Sequence, residues 1–599
     1  LADGGGFSGF LGVSRSLSGR KWRRRAACET TARAHQLKLG LSEPLARALS
    51  ARGVVDGEGE RYLQPTLKAL FPDPSSFLDM DRAAEALIDA LRRGRRIQVF
   101  ADYDVDGATS AALLVRWFRS LGAEVSIYVP DRLTEGYGPS PLAFERMKAA
   151  GAELVVTVDC GAAAVDAVAH ATAIGLEVVV VDHHLMREEP PRCTAVVNPN
   201  RPGCPSGQGN LAAAGVVFVL LAALNREARR RGLFDGRPEP DLRQWLDLAA
   251  LGAICDVTRL TGFNRALASL GLRVMGGWKN PGLHALMQIA GGKSSADAFA
   301  AGFILGPRIN AGGRIGRSDL GARLLSTDDP VEAAGLAAEL HRLNDERKAV
   351  EAEVTEEAAR LAERDGAHEG TSAVVVAAEG WHPGVIGIVA GRLRERWRKP
   401  VVVIALDPVA GLGKGSGRSQ PGVNLGAAVQ AAFEEGLLLA GGGHAMAAGL
   451  TVRAGGVDAF RAFLNERLAA EQADATAEDA VEIDAVVSCR SADRALVEAF
   501  ELLQPFGPGN PEPLFAASGL RVEFAQVLNG GHIRCTLADP DGTKLKAIAW
   551  RAALTPVGEA LLARSGALHV AGKLKRDDWN GRESVQLEIE DAADPRMCG

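Results

Sequence analysis

The chain has 599 residues, 47% hydrophobic and 24% charged, with a formal net charge of −6 and eight cysteines that form no CxxC pair. That length exceeds a single core, so three or four domains are expected. No apolar run reaches ~18 residues, which argues against a membrane span; the cysteines argue against structural zinc and disulfide scaffolding; and any nucleic-acid affinity must come from local positive fields rather than overall charge.

The first residues, LADGGGFSGFLGVSRSL, lack a long apolar core, so no signal peptide is expected and a cytoplasmic setting follows. Basic clusters stand at Arg20, Lys21, Arg23, Arg24 and Arg25, and at Arg92, Arg93, Arg95 and Arg96. A phosphate-attracting field or an ordinary solvated face accounts equally for each. IQVFADYDVDG then sets Asp102, Asp104 and Asp106 at alternating positions off the end of an apolar strand. Like charges that close raise one another's pKa unless a cation offsets them, so a divalent metal is expected. DxDxDG also opens an EF-hand loop, but the bidentate Glu that loop needs is replaced here by Leu113. The Ala-rich run Ala108 to Leu121 reads as a helix behind a sheet, which leaves the acids at a strand's carboxyl end, where α/β folds place ligands.

Strands at Ile97 to Ala101, Glu124 to Val129, Leu154 to Val158 and Glu177 to Val181 alternate with helical stretches, predicting a parallel sheet covered on both faces. LVVTVDCG puts Asp159 after one strand, and VVVVDHH puts Asp182, His183 and His184 after the next. ALGAICDV ends an apolar helical run on Asp256. Strand ends in one parallel sheet share a rim, so these groups are expected to converge. Asp104, Asp106, Asp159 and Asp256 with a neutral His183 balance two divalent cations. Carboxylate and imidazole without thiolate suit Mn²⁺ or Mg²⁺, with the imidazole favouring Mn²⁺. The chemistry implied is phosphoester hydrolysis by in-line displacement.

From Leu211 to Leu325 the pattern is mostly helical. Arg308, Arg314 and Arg317 lie on the Gly-rich segment GPRINAGGRIGRSD, whose backbone is expected to approach a ligand while arginine forks bind phosphate. GGKSS at Gly291 and GLGKGSG at Gly411 fail the P-loop pattern, because Met287 and Gly415 stand where Gly and Ser or Thr are required. Pro330 to Arg364 reads as one connecting helix of roughly 50 Å.

A second α/β pattern starts at Ser372 with AVVVAA, the loop WHPGVIG, a helix to Arg398 and the strand VVVIAL. Ser416 and Arg418 offer a hydroxyl and a guanidinium two residues apart. Gly441, Gly442 and Gly443 would let backbone N–H groups close on a phosphate, with His444 adding a donor. After PFGPGNPEP, short strands broken by NGG, DPDG and DDWNG turns indicate a small β-barrel. Trp550 and Trp579 are its candidate stacking platforms, with Lys573, Lys575 and Arg576 before the latter.

DYDVDG, VDCG, VDHH and CDV, in this order, resemble the DHH phosphoesterase superfamily, and GGGHAMAAG resembles the glycine-rich motif of the DHH-associated domain. With VPDRLTEGYG, AVVNPNRP, GPRINAGGRIGRSD and GKGSGRS, the whole resembles the RecJ family of bacterial exonucleases, over almost the full chain. The resemblance implies metal ligation by Asp104, Asp106, Asp159, His183 and Asp256, with Asp159 bridging. It implies that Asp102 and Asp182 orient ligands and that His184 faces the scissile phosphate. Substrate contacts would come from Arg132, Tyr137, Arg308, Asn310, Arg314, Ser416, Arg418, Gly441 to Gly443 and His444, with Arg132 among the groups gripping the 5′ phosphate. Val105 stands where the family more often has Ala.

The fold class implied is α/β multidomain. Its expected division is a helical, basic segment (1–85), a parallel-sheet DHH domain (86–265), a helical region with the connecting helix (266–368), an α/β DHH-associated domain (369–475), a linker and packing segment (476–515) and an OB-fold-like barrel (516–599). The activity implied is 5′-to-3′ exonucleolytic hydrolysis of single-stranded DNA to 5′-mononucleotides, in repair and recombination. Single-stranded-DNA-binding protein and a RecQ-type helicase are the implied partners, and a monomer the implied state. The alternatives are an oligoribonuclease or small-nucleotide phosphodiesterase of the same superfamily, or a non-catalytic scaffold.

Overall fold

The computed structural model describes residues 9–132, 134–186, 189–292, 295–364, 366, 368–475, 480–577 and 584–597. These fall into two compact units. One comprises Phe71–Thr258 with Phe263–Ala477, and the other the described residues up to Leu70, Arg259–Gly262 and those after Ala477.

The first unit opens with a five-stranded, wholly parallel sheet. Its strands are β1 (Ile97–Ala101), β2 (Ser126–Tyr128), β3 (Leu154–Val158), β4 (Glu177–Val181) and β5 (Ala195–Val197), in the order β2-β1-β3-β4-β5. β3 is buried at every position, as its unbroken apolar run requires when both faces are covered. Helix α1 (Val105–Ser120) follows β1, and α2 (Ala213–Arg230) and α3 (Leu246–Cys255) pack against α1. Fully burying each Val, Leu or Phe of these elements is worth about 1.5–3 kcal/mol. β5 was not among the expected strands: AVV is too short for periodicity to reveal it, and its neighbour β4 supplies the register.

The Gly-rich segment whose backbone was expected to approach a ligand is helix α4 (Gly306–Ile315), entered through a π-helical turn at Ala300–Leu305. Its glycines therefore serve close packing, not a backbone cradle, and only side chains reach out from it. The connecting helix α5 runs from Pro330 to Arg364 as expected. Its buried stripe includes Leu336, Leu340, Leu343, Arg347, Glu351 and Val354, the spacing of one helical face. Glu351 is clasped by Arg347 of α5 and by Arg392 of α6 (Ile386–Trp397).

A second sheet in this unit holds β6 (Val374–Glu379), β7 (Val401–Asp407), β8 (Leu412–Arg418), β9 (Ala440–His444) and β10 (Ala447–Arg453), in the order β9-β10-β8-β7-β6. Only β6 and β7 run parallel; the rest are antiparallel.

In the other unit, Phe515–Leu528, His532–Ala538, Lys544–Ala549, Ser584–Ala593 and Ala567–Asp577 pair in succession and close on the first strand, making a five-stranded barrel. The stretch expected as a linker carries strands Ala480–Ile483 and Ala485–Val486 and the helix Arg494–Glu501. Lys21–Arg24 pairs in parallel with Ala480–Ile483, and buried Trp22 donates from Nε1 to Asp591 Oδ2 at 3.0 Å. Thus the N-terminal residues to Leu70 fold with the barrel, a pairing across more than 450 positions that local pattern cannot show. Among the described residues, no helix is long and apolar enough to cross a membrane.

Candidate metal centre and phosphate site

β1 ends one residue before Asp102, whose carboxylate is buried with Oδ1 lacking any hydrogen-bond partner among the described residues. Asp104 caps α1 by accepting from the Gly107 N–H at 3.0 Å. Asp106, in the first turn of α1, accepts from the N–H groups of Ala213 and Ala214 at 2.6 and 2.9 Å, so the positive end of α2 holds its charge in place. Asp159 leaves β3 with φ of 61°, a left-handed conformation costly for a non-glycine residue, and is buried. Asp256 caps the C-terminus of α3.

These side chains converge. His183 Nε2 lies 3.2 Å from Asp159 Oδ1, 3.6 Å from Asp256 Oδ2 and 3.8 Å from Asp106 Oδ2, yet this buried nitrogen makes no hydrogen bond among the described residues. Ligand-type atoms of Asp106, His183 and Asp256 lie within 4.8 Å of one another, as do those of Asp102, Asp104 and Asp159, and those of Asp159, His183 and His184. Asp159 and His183 are each shared between two of these groups. Asp102, expected only as an orienting group, therefore stands within ligand range.

Asp182 is the organiser. Its Oδ1 accepts from the His183 N–H (2.7 Å), the His184 N–H (3.2 Å) and His184 Nδ1 (2.7 Å), and its Oδ2 from the Ala162 N–H (3.0 Å). Asn200 and Asn198 donate to the carbonyls of His183 (2.6 Å) and His184 (2.9 Å). These two asparagines come from AVVNPNRP, where no local pattern reveals their role. Tyr137 places its hydroxyl 3.3 Å from both the Asp159 carbonyl and His184 Nε2.

Burial, then neighbouring carboxylates, push Asp102, Asp106 and Asp159 well above the usual carboxylate range and Asp256 up to about 7. Burial, then the His184 charge, pull His183 down to about 4. In the Asp182–His184 pair, burial opposes both charged forms, but the hydrogen bond and mutual attraction win: Asp182 falls to about 2 and His184 rises to about 9. Crowded acids kept from water and two buried, unpartnered donor atoms are what a divalent-cation site needs, so these residues fit the expected metals.

Beside the acids lies a group of arginines. Arg132 stacks its guanidinium over the Tyr103 ring, 5.1 Å from the centroid. Arg314 of α4 donates to the Gly384 carbonyl (3.1 Å), and Arg418 of β8 to the Gly417 carbonyl (2.8 Å) and Ser416 Oγ (3.3 Å). None of the three has a carboxylate partner among the described residues. Burial, then Arg132, Arg347 and Arg418, hold Arg314 down at about 10, and burial with Arg132 lowers Arg418. Gly387 of α6 makes room for this group, since a Cβ there would lie 2.9 Å from Ser416 Oγ and 3.1 Å from Arg418 Nη2.

One expected contact is engaged elsewhere. Arg308 is turned back, donating from Nη1 to the Ile304 carbonyl (2.7 Å) and from Nε to His341 Nδ1 (3.2 Å). Its neighbour Asn310 is partly buried on the same helix. Gly441, Gly442, Gly443 and His444 form edge strand β9, so half of their backbone groups belong to the ladder with β10. In the barrel, Lys573, Lys575 and Arg576 are paired with Glu590, Glu512 and Glu501, so they do not make a free basic groove. Trp550 is exposed, with its ring against His532 at 4.9 Å; Trp579 lies outside the described residues. Sequence reading missed Phe299 and Phe303, which stack at 5.3 Å while 62% and 70% exposed, on the turn whose Ala301 carbonyl meets Cys255 Sγ beside Asp256. Apolar residues four apart in a helical run normally read as core.

Residues 96–253 match the DHH family, N-terminal domain, residues 370–470 the DHHA1 domain and residues 483–591 the RecJ OB domain. The single-stranded-DNA-specific exonuclease RecJ of Bacillus subtilis is 35% identical over 562 residues, covering 93% of this chain and 68% of that protein. Its counterpart in Salmonella typhimurium is 35% identical over 587 residues, covering 96% and 99%. The crystal structure of RecJ in complex with Mn²⁺ from Thermus thermophilus superposes with a TM-score of 0.76 at 32% identity, over 96% of this chain and 79% of that one. Matching these relatives along nearly its whole length, and carrying all three domains, the chain belongs to the RecJ family of DHH proteins.

Proposed function

We propose that this chain is a metal-dependent exonuclease that hydrolyses single-stranded DNA from the 5′ end to 5′-mononucleotides. The observation that carries the reading is the juxtaposition of a buried, over-charged carboxylate and imidazole cluster with three arginines that lack acid partners. One set suits cations and the other suits a phosphate. The relatives' shared name as single-stranded-DNA-specific exonucleases, and the Mn²⁺ and Mg²⁺ in two Thermus thermophilus RecJ structures, support the same reading.

In this reading Asp104, Asp106, Asp159, His183 and Asp256, joined by Asp102 at ligand range, hold two divalent cations, with Asp159 shared between them. Bound there, Mn²⁺ or Mg²⁺ supplies Lewis-acid polarisation of the scissile phosphate. Asp182 fixes the His184 ring through Nδ1 and leaves Nε2, with the Tyr137 hydroxyl, facing the substrate phosphate. Arg132, Arg314, Arg418 and Ser416 grip the terminal 5′ phosphate, which positions the first phosphodiester over the acids and sets the polarity of digestion. Phe299 and Phe303 offer exposed rings on which bases beyond the cut can stack.

The six-part domain division expected from the sequence is kept as part of this proposal; by contacts, the described residues up to Leu70 and Arg259–Gly262 group with those after Ala477. A role in DNA repair and recombination, a cytoplasmic setting, a monomeric state and partnership with single-stranded-DNA-binding protein and a RecQ-type helicase complete the proposal. Digestion of 5′- and 3′-labelled single and double strands with Mn²⁺, Mg²⁺ or chelator tests it. Release of 5′-labelled mononucleotide first, from single strands only and only with metal, is expected. Preference for dinucleotides over long strands would favour the small-substrate alternative instead.

A further inference from the structure

Gly384, in the WHPGVIG loop, joins two side chains through one residue. Its N–H donates to His382 Nδ1 at 3.0 Å, and its carbonyl accepts from Arg314 Nη1 at 3.1 Å. No side chain fits there: a Cβ would lie 2.2 Å from the Arg314 carbonyl oxygen and 3.0 Å from His382 Cε1. Histidine and arginine are thus locked together by a backbone that cannot be thickened.

The hydrogen bond also decides the histidine's tautomer. Because Nδ1 accepts, the neutral ring carries its proton on Nε2, across the ring from its own loop. Nε2 has no hydrogen-bond partner among the described residues. Burial, then the nearby Arg132 charge, lower the pKa of His382, so the ring is neutral at pH 7. A neutral donor suits this place, because it adds a hydrogen bond without adding to the repulsion among Arg132, Arg314 and Arg418.

We propose that His382, with its proton fixed on Nε2, is a further contact for the terminal phosphate and helps the protein distinguish a 5′-phosphate from a 5′-hydroxyl. This rests on the exonuclease reading above. Arginines supply charge, which any phosphodiester along the strand satisfies, whereas a terminal monoester presents one more oxygen to be met by an uncharged donor. Gln at this position can accept from the Gly384 N–H and still donate; Glu can accept but not donate.

The test is binding to the metal-free protein, measured by fluorescence anisotropy with one single-stranded oligonucleotide bearing either a 5′-phosphate or a 5′-hydroxyl. Turnover is not required, so absence of hydrolysis by the wild type with Mn²⁺ would overturn the exonuclease reading without deciding this one. His382→Ala is expected to lower the affinity ratio, phosphate over hydroxyl, about tenfold, the worth of one hydrogen bond to a charged group. His382→Gln should restore most of the ratio, and His382→Glu should lower it further than Ala. A general folding defect weakens both strands together and leaves the ratio unmoved. A ratio unchanged in Ala and Glu, or a Gln variant no better than Ala, overturns the assignment.

Discussion

His183 Nε2 and Asp159 Oδ1 stand 3.2 Å apart in the interior without a hydrogen bond between them. Two buried groups that close, each with unused bonding capacity, are arranged for a third party. Asn tolerates the left-handed backbone at position 159, so Asp159→Asn should fold. It should lower kcat by about a thousandfold or more, roughly 4 kcal/mol of barrier. It should also raise the melting temperature of the metal-free protein, because it removes one of several crowded carboxylates. Unchanged turnover would remove Asp159 from the metal site.

The metal-free protein should lose stability as pH rises. Asp102, Asp106 and Asp159 are raised well above the usual carboxylate range and Asp256 to about 7. Between pH about 4 and about 7 the folded state therefore holds more protons at these sites than the unfolded chain, and stability falls across that window. His183, lowered to about 4, acts with the opposite sign below its unfolded value of ~6.5, but it is one group against four. Thermal unfolding in chelator at pH 5 and pH 7.5 should show the higher midpoint at pH 5. Mn²⁺ should reverse that order, and calorimetry in two buffers should record proton release on binding.

Replacing Arg418 with Ala should weaken a 5′-phosphorylated strand by roughly 1.5–3 kcal/mol, the worth of a charged hydrogen bond. Folding stability should not drop, because no acid partner is stranded and repulsion from Arg132 and Arg314 is relieved. Lys at this position should recover little, since the paired donors of the guanidinium are lost. Equal binding by wild type and Arg418→Ala would separate this arginine from the substrate.

Removing both rings with Phe299→Ala and Phe303→Ala should lower affinity for strands of several nucleotides by about 1–3 kcal/mol per stacked base. A dinucleotide should bind as before. Both rings are mostly exposed, so the melting temperature should hold. A loss identical for short and long strands would contradict the stacking role.

Glu351→Ala should destabilise the first unit by about 3–5 kcal/mol. Glu351 is 2% exposed and pairs with Arg347 and Arg392, and removing it leaves Arg347 as a buried cation without a counter-charge. Thermal unfolding measures this directly, and a change below ~1 kcal/mol would mean water reaches the network.

The clustered acids and histidines were legible in the sequence because each sits at the end of a strand or helix whose limits are local. β1, β3, β4 and α5 begin and end where their apolar runs and breakers place them. A parallel sheet then brings strand ends to one rim whatever the loops do. Arg308 illustrates the opposite case. It differs from Arg314 by six positions on one helix, and only helical rotation turns one back on Ile304 and the other toward Arg132. The glycines of that helix suggest a backbone open to a ligand, whereas here they permit close packing against Cys255, Arg317 and Tyr103.

By itself the sequence determined the order of α/β units, the convergence of acids and histidines, the long connector and the barrel, since all follow from short-range periodicity and strand direction. Tertiary structure alone decided which arginines lack an acid, which barrel lysines are already neutralised, where the N-terminal strand pairs, and on which nitrogen His382 keeps its proton. Those are properties of neighbours distant along the chain, and electrostatic compensation is fixed by distance in space.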